Sequence, residues 1–261
     1  MIALLNNLTT INRAVDGVAF NDIAANNDLF IGDFQNNIAR GQQGNDLVLG
    51  NDGDDRLSGD TGVDGLFGGT GNDDLRGGGD NDTLFGDAGN DRLIGDSGVD
   101  FLVGGEGNDQ FVYTGDAFAN GVATPAGQTG INVLNTPDII SDFTIAEDQF
   151  ALGKFDLNLA DFTFQQGQSS QIAGDGNLIV LTDPFPAAGA AARAIADNNN
   201  ITSDEGVFVY FNSTLGLTRV AYSQDLGDGG NVSVLANLDN QRGDVGIANL
   251  SQFTPANFAL V

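Results

Sequence analysis

The chain contains no cysteine and no histidine. The first absence excludes disulfides, thiolate metal sites and cysteine nucleophiles. The second removes imidazole-ligated zinc, the Ser-His-Asp and Cys-His arrangements, and the residue most used as a general acid or base. Positive charge is scarce as well: 9 Lys and Arg stand against 36 Asp and Glu, for a formal net charge of −27. Nucleic acid is thereby excluded as a partner, because binding it requires cations that replace the counterions condensed on phosphates. An anionic membrane surface fails for the same reason. No stretch approaches the ~20 consecutive apolar residues of a spanning helix, so no membrane insertion is expected. Met1 to Thr10 carry neither a basic region nor a long apolar one. A cleaved amino-terminal signal peptide is therefore not expected, and export would need another route.

What remains is a chain of 261 residues with 41% hydrophobic content, enough for one or two domains with a core. Its acidity is a self-repulsion that a compact state must screen or neutralise with cations. From Gly41 to Val112 the sequence falls into eight nonads, starting at Gly41, Gly50, Gly59, Gly68, Gly77, Gly86, Gly95 and Gly104. Every sixth position is aspartate: Asp46, Asp55, Asp64, Asp73, Asp82, Asp91, Asp100 and Asp109. Every eighth is apolar: Val48, Leu57, Leu66, Leu75, Leu84, Leu93, Leu102 and Phe111. The fourth is glycine except at Asp80. Two degenerate copies precede them, Ile23 to Ile31 with Asn27, Asp28 and Phe30, and Gly32 to Arg40 with Asn37 and Ile38. The repeat is expected to begin near Ile23, with Asn37 marking a weaker site or a capping turn.

The spacing has a physical reading. Glycine at the first and fourth positions allows left-handed backbone in a tight turn, and the last three residues of a nonad form a short strand whose middle side chain points inward. Two nonads make one coil, so strands two nonads apart stack at ~4.8 Å in a parallel sheet on each side. Aspartates two nonads apart then become neighbours. Two carboxylates at roughly 5 Å repel by about 3 kcal/mol at an effective dielectric near 20. A divalent cation taking these oxygens plus loop carbonyls relieves that repulsion, and six to eight hard oxygen ligands suit Ca²⁺. Several ions are expected. Asp52, Asp54, Asp60, Asp74, Asp80, Asp87 and Asp96, outside the sixth position, read as solvated charge.

After Tyr113 the nonads stop. The stretch to Pro137 reads as a loop or insertion. Strand-like runs follow at Asp138 to Ile145, Leu178 to Leu181, Val207 to Phe211, Thr218 to Tyr222 and Val232 to Leu235, with Ala-rich helical sequence at Ala187 to Ala196.

The nonads follow the pattern GGxGxDxUx and resemble the RTX calcium-binding repeat. DIISDFTIAEDQFAL, from Asp138, is similar to the segment after the β-roll in the carboxyl-terminal domains of serralysin-type secreted proteases and their non-protease relatives. GVFVYFNSTLGLTRVAYSQDLGDGG, VSVLANL and FTPANFALV resemble that family's closing region. The resemblance implies an all-β fold: a right-handed parallel β-roll with two nonads per turn, then a β-sandwich-like region with a short Ala-rich helix. Boundaries are expected at residues 1–22 for a cap, 23–114 for the roll, 115–137 for the insertion and 138–261 for the closing domain. It also implies calcium on the eight sixth-position aspartates and on Asp28, with Asp142 and Asp148 closing the last site and Asp225 with Asp228 forming a separate one. A type I exporter is the implied partner, reading an uncleaved signal in Asn249 to Val261, and the product would be extracellular or on the cell surface, with a surface or matrix polymer as a further partner. Protease members carry a histidine-rich zinc domain, whereas the segment ahead of the roll, Met1 to Asp22, contains no histidine. A binding and structural protein is therefore expected rather than an enzyme. A small secreted hydrolase, glycosidase-like and housed in the closing domain, is the alternative.

Overall fold

The computed structural model describes residues 10–13, 20–21, 27–115, 123–125, 132–134, 137–154, 157–198, 201–227 and 231–261. They gather into two units, one running to Tyr113 and including Ala146–Phe150, the other taking Thr114–Ile145 and Ala151–Val261.

The described residues of the first unit up to Tyr113 form twelve strands: β1 Thr10–Arg13, β2 Phe20–Asn21, β3 Asp28–Ile31, β4 Ile38–Gln43, β5 Leu47–Asp52, β6 Arg56–Thr61, β7 Gly65–Thr70, β8 Asp74–Gly79, β9 Thr83–Ala88, β10 Arg92–Ser97, β11 Phe101–Glu106 and β12 Gln110–Tyr113. Odd-numbered strands build one sheet and even-numbered strands the other, each in chain order. The pairs are parallel, with partners two nonads apart, as in Val48↔Leu66↔Leu84 and Leu57↔Leu75↔Leu93. Two nonads therefore complete one coil of a parallel β-solenoid. Its core is a double file of eighth-position side chains, Val48, Leu66, Leu84 and Leu102 on one side and Leu57, Leu75, Leu93 and Phe111 on the other, none more than 2% exposed.

Two details differ from the sequence expectation. Strands β1 and β2 lie ahead of Ile23 and pair in the roll, Thr10↔Asp28 and Phe20↔Ala39. In the Gly32 nonad, Ala39 enters the core and Ile38 points out, 45% exposed, because the inward position is the eighth rather than the seventh. The outward faces of the two sheets also differ. On the odd strands the Phe67 and Phe85 rings stack at 5.0 Å. On the even strands Arg40 pairs with Asp60, Arg56 and Arg92 with Asp74, and Arg76 with Asp96. These ion pairs are solvent-facing and add less than about 1 kcal/mol each.

In the second unit, β13 Ala123–Pro125 and β14 Asn132–Leu134 form an antiparallel pair inside the stretch expected to be a loop. They are followed by β15 Asp138–Ile140, β16 Gln149–Leu152, which starts in the first unit, β17 Phe164–Gly167, β18 Leu178–Leu181, helix α1 Ala188–Ala196, β19 Gly206–Asn212, β20 Leu217–Ser223, β21 Val232–Arg242, helix α2 Gly243–Asn249 and β22 Phe258–Leu260. Strands β17, β18, β19, β20 and β21 form a mixed sheet in that order, parallel at β17–β18–β19 and antiparallel at β19–β20–β21. Ala191, Ala192 and Ile195 of α1 pack on Ile179, Phe208, Tyr210 and Val234, an alanine face letting the helix approach closely. Elsewhere in the unit Phe253 stacks on Phe143 and packs tilted against Phe258, with ring centroids 6.0 and 6.2 Å apart.

Candidate metal site

Each nonad turn presents its sixth-position carboxylate inward, and the coil period sorts these groups into two columns. Asp28, Asp46, Asp64, Asp82 and Asp100 form one; Asp55, Asp73, Asp91 and Asp109 form the other, with Asn37 at its head. The eight nonad aspartates and Asp28 are at most 2% exposed. A hydrogen-bond ladder runs down each column, in which the backbone N–H of one member donates to Oδ1 of the next. Asp46 donates to Asp64 at 2.7 Å, Asp64 to Asp82 at 2.8 Å and Asp82 to Asp100 at 2.8 Å; in the second column Asn37 donates to Asp55 at 2.6 Å, Asp55 to Asp73 at 2.7 Å and Asp73 to Asp91 at 2.8 Å.

The other oxygen is the chemically telling one. In Asp55, Asp64, Asp73, Asp82 and Asp91, Oδ2 is buried and has no hydrogen-bond partner. Burying a carboxylate oxygen uncompensated is costly, so the group must bind a proton or a cation. Burial pushes Asp55, Asp64 and Asp91 up to about 7, Asp73 to about 6 and Asp82 to about 8; the donated N–H partly offsets this, and neighbouring carboxylates raise them further.

The first-position glycine shapes the space beside Oδ2. A Cβ at Gly41, Gly50, Gly59, Gly68, Gly77, Gly86, Gly95 or Gly104 would lie 2.1–2.4 Å from Oδ2 of the aspartate five residues on. At Gly50, Gly68 and Gly86 it would also lie 2.5–2.8 Å from the carbonyl oxygen of the glycine one coil further. First-position glycine is therefore required for room and not for left-handed backbone. Positive φ falls instead at the second position, at Gln42, Asn51, Asp60, Asp87 and Asp96 as well as Gly69, Gly78 and Gly105, and at the fourth, where Asp80 adopts φ +72. We expect Gly68→Ala, whose Cβ would meet Asp73 Oδ2 at 2.2 Å, to destabilise the roll by roughly 1–3 kcal/mol. Gly79→Ala, whose nearest neighbour would be 3.7 Å away, should be tolerated; calcium midpoints of the two variants measure the difference.

A second ladder, not anticipated from the sequence, runs beside the first. Fifth-position Asn and Asp side chains accept the backbone N–H of the residue one coil further on: Asn36 from Asp54 at 3.0 Å, then Asp54 from Asn72, Asn72 from Asn90 and Asn90 from Asn108, each at 2.8 Å. On the opposite flank, Val63 and Val99 occupy the equivalent positions, donating to Asn45 and Asn81 but offering no oxygen onward. Asn in every nonad but those with Asp54, Val63 and Val99 was the available signal. Val63→Asn should supply the missing acceptor for Asn81 and stabilise the roll by about 0.5–1 kcal/mol, read as a higher denaturant midpoint in saturating calcium.

The remaining expected ligands divide. Asp148, 4% exposed, accepts the Asp109 N–H on Oδ1 at 3.1 Å. Asp142 lies in the second unit, half-buried, its carbonyl accepting the Thr144 hydroxyl at 3.3 Å. Asp225 is half-buried, with its N–H donated to Ser223 Oγ at 3.3 Å; Asp228 lies outside the described residues. Among the described residues no group of three acidic side chains converges to hold an ion alone. The columns offer carboxylate oxygens in succession beside the carbonyls of the glycine turns. Those hard donors fit calcium.

The family model described as the RTX calcium-binding nonapeptide repeat (4 copies) matches residues 31–66, 40–75, 58–93 and 76–111. The matched span is about a third of the chain. No curated protein matches it.

Proposed function

Residues 31–111 are RTX calcium-binding nonapeptide repeats, and from that premise we propose that the chain is a secreted protein that folds on meeting extracellular calcium and serves a structural, surface or matrix role. The observation that carries this is the pair of carboxylate columns with buried Oδ2 atoms. A ligand that binds only the folded form stabilises it by mass action. In calcium-poor cytoplasm the same charges keep the chain open and threadable, which suits a type I exporter. The ligands are the eight sixth-position aspartates, with Asp28 at the head of the first column.

The carboxyl-terminal candidate signal, Asn249–Val261, has Leu250, Phe253 and Phe258 buried in the second unit. An exporter would therefore read it before the chain folds, in keeping with folding outside. The decisive experiment is far-ultraviolet circular dichroism during a calcium titration with magnesium as control. A cooperative gain of β-signal with calcium alone supports the reading; a chain already folded in chelator and indifferent to calcium refutes it.

The hydrolase alternative can be weighed at a cavity of about 330 Å³ in the second unit lined by Asn158, Asp175, Ser203, Asp204 and Glu205 among others. There Glu205 accepts from Asn158 Nδ2 on one oxygen and from the Tyr222 hydroxyl on the other, both at 3.0 Å. A carboxylate tied at both oxygens holds the loop together, and this favours the non-enzymatic reading. Polysaccharide hydrolysis abolished by Glu205→Gln in a folded variant would reverse that preference.

A further inference from the structure

The roll has two unlike outward faces. On the odd strands from β3 to β11 the ninth nonad position is a continuous row, Ile31, Leu49, Phe67, Phe85 and Val103, each paired in register with the next and each only half-buried. The seventh-position row beside it carries no charge, Thr83 being its one polar side chain. On the even strands from β4 to β10 the same two positions hold Arg40, Arg56, Asp74, Arg76 and Arg92. A half-exposed apolar strip of this length, on a chain of net charge −27, has the character of an interaction surface.

A second observation points the same way. Val63 and Val99 stand where the other odd-strand repeats have Asn27, Asn45 and Asn81. They are 43% and 36% exposed, so each gives up a ladder acceptor without gaining the roll a buried side chain. Both precede odd strands, β7 and β11, by two residues, and so border the strip. The ladder beside the even strands, from Asn36 to Asn108, is unbroken.

We propose that this strip is the contact through which two copies of the chain associate, odd face to odd face. Charge selects the occupant: chains this acidic repel one another, and an uncharged face lets two copies meet without opposing like charges or desolvating an ion. Period selects it too. A two-fold contact matches a surface with itself, and rows repeating every ~4.8 Å meet identical rows in the manner of packed sheets. Size sets the strength. Five strands, counted over the fifth to ninth positions, give a footprint on the order of 400 Å² per copy, against the ~800 Å² per partner of a stable complex. The dimer is therefore weak and reversible, and forms where the chain is concentrated. This goes beyond the calcium reading and needs only the folded roll; it gives the proposed structural role a contact between copies.

The test is sedimentation equilibrium of the full chain, under conditions in which circular dichroism shows its β-structure. The weight-average mass should rise above 27.0 kDa with concentration. Added sodium chloride should strengthen the association by screening Asp52, Asp87 and Glu106, exposed at the ends of the odd strands. Phe85→Asp should weaken it roughly tenfold or more, because a two-fold contact loses the ring twice. Arg56→Gln, on the opposite face, should leave it unchanged. Val63→Asn has two opposed effects, a higher denaturant midpoint and a weaker dimer, and it carries the test if Phe85→Asp fails to fold. A mass of 27.0 kDa at every concentration up to about 1 mM overturns the proposal. So does a dimer indifferent to both Phe85→Asp and Val63→Asn, or one that salt or Arg56→Gln abolishes, which the arginine face would be holding instead.

Discussion

In chelator, the roll should gain β-signal as the pH is lowered from 8 toward 5. Its buried carboxyls, Asp55, Asp64, Asp73, Asp82 and Asp91, are held at about 6 to 8 in the fold, against an ordinary value of 3.8. Between those limits the folded chain keeps protons that the unfolded chain has lost. Stability therefore falls as pH rises from the ordinary value up to the folded values and is flat above them. Each tenfold change in proton affinity is about 1.4 kcal/mol. Five carboxyls displaced in the same direction are a large lever on the ~5–15 kcal/mol that holds a typical domain folded. Calcium should remove the dependence by taking the place of the protons, and its binding near pH 7 should release protons into an unbuffered solution. A chain equally unfolded at pH 5 and pH 8 in chelator would show that burial of the columns does not control folding.

Asp82 separates the two roles of a column carboxylate. Its Oδ1 accepts the Asp64 N–H, while its Oδ2 is the oxygen left for an ion. Asp82→Asn keeps an acceptor and removes the charge. It should fold more readily than wild type in chelator at pH 8, yet lose calcium at both intervals it borders, toward Asp64 and toward Asp100. Asp82→Ala removes the acceptor as well and strands a buried N–H, at a further cost of roughly 1–3 kcal/mol. Denaturant midpoints with and without calcium distinguish the variants. If Asn and Ala behave alike, the ladder hydrogen bond is not a stabilising element.

How much of this is legible in the sequence depends on whether one residue type alone can satisfy a position. In the eight nonads from Gly41 the sixth position is always aspartate and the eighth always a large apolar group, so their period of nine places the roll, its core and its columns. The second position tolerates Gln42, Asn51 and Asp60 in left-handed backbone as well as glycine, which hides it from a glycine count. First-position glycine is visible, but its reason is not, because the crowding by Oδ2 arises only after the turn has closed. Strands β1 and β2 carry no nonad marks at all and join the roll by pairing with β3 and β4. That Asp148 accepts the Asp109 N–H requires knowing which residue the chain returns to the column after leaving it. In the second unit, Leu178–Leu181 and α1 are legible nearly to the residue from β-branched and alanine runs. Helix α2, Gly243–Asn249, is not, since it contains two glycines and little helical propensity.

The alternation of nonads between the two sheets imposes a parity rule on the gene. Removing two nonads, such as Gly59 to Arg76, shortens the roll by one coil and leaves every downstream residue on its original side. Removing a single nonad exchanges the sides for everything downstream, so that Asp148 would arrive beneath the column of Asp46 and Asp64 in place of that of Asp55 and Asp73. Length can therefore drift by duplication or loss only in even numbers of nonads, and an odd change must be matched by a second one before Asp148.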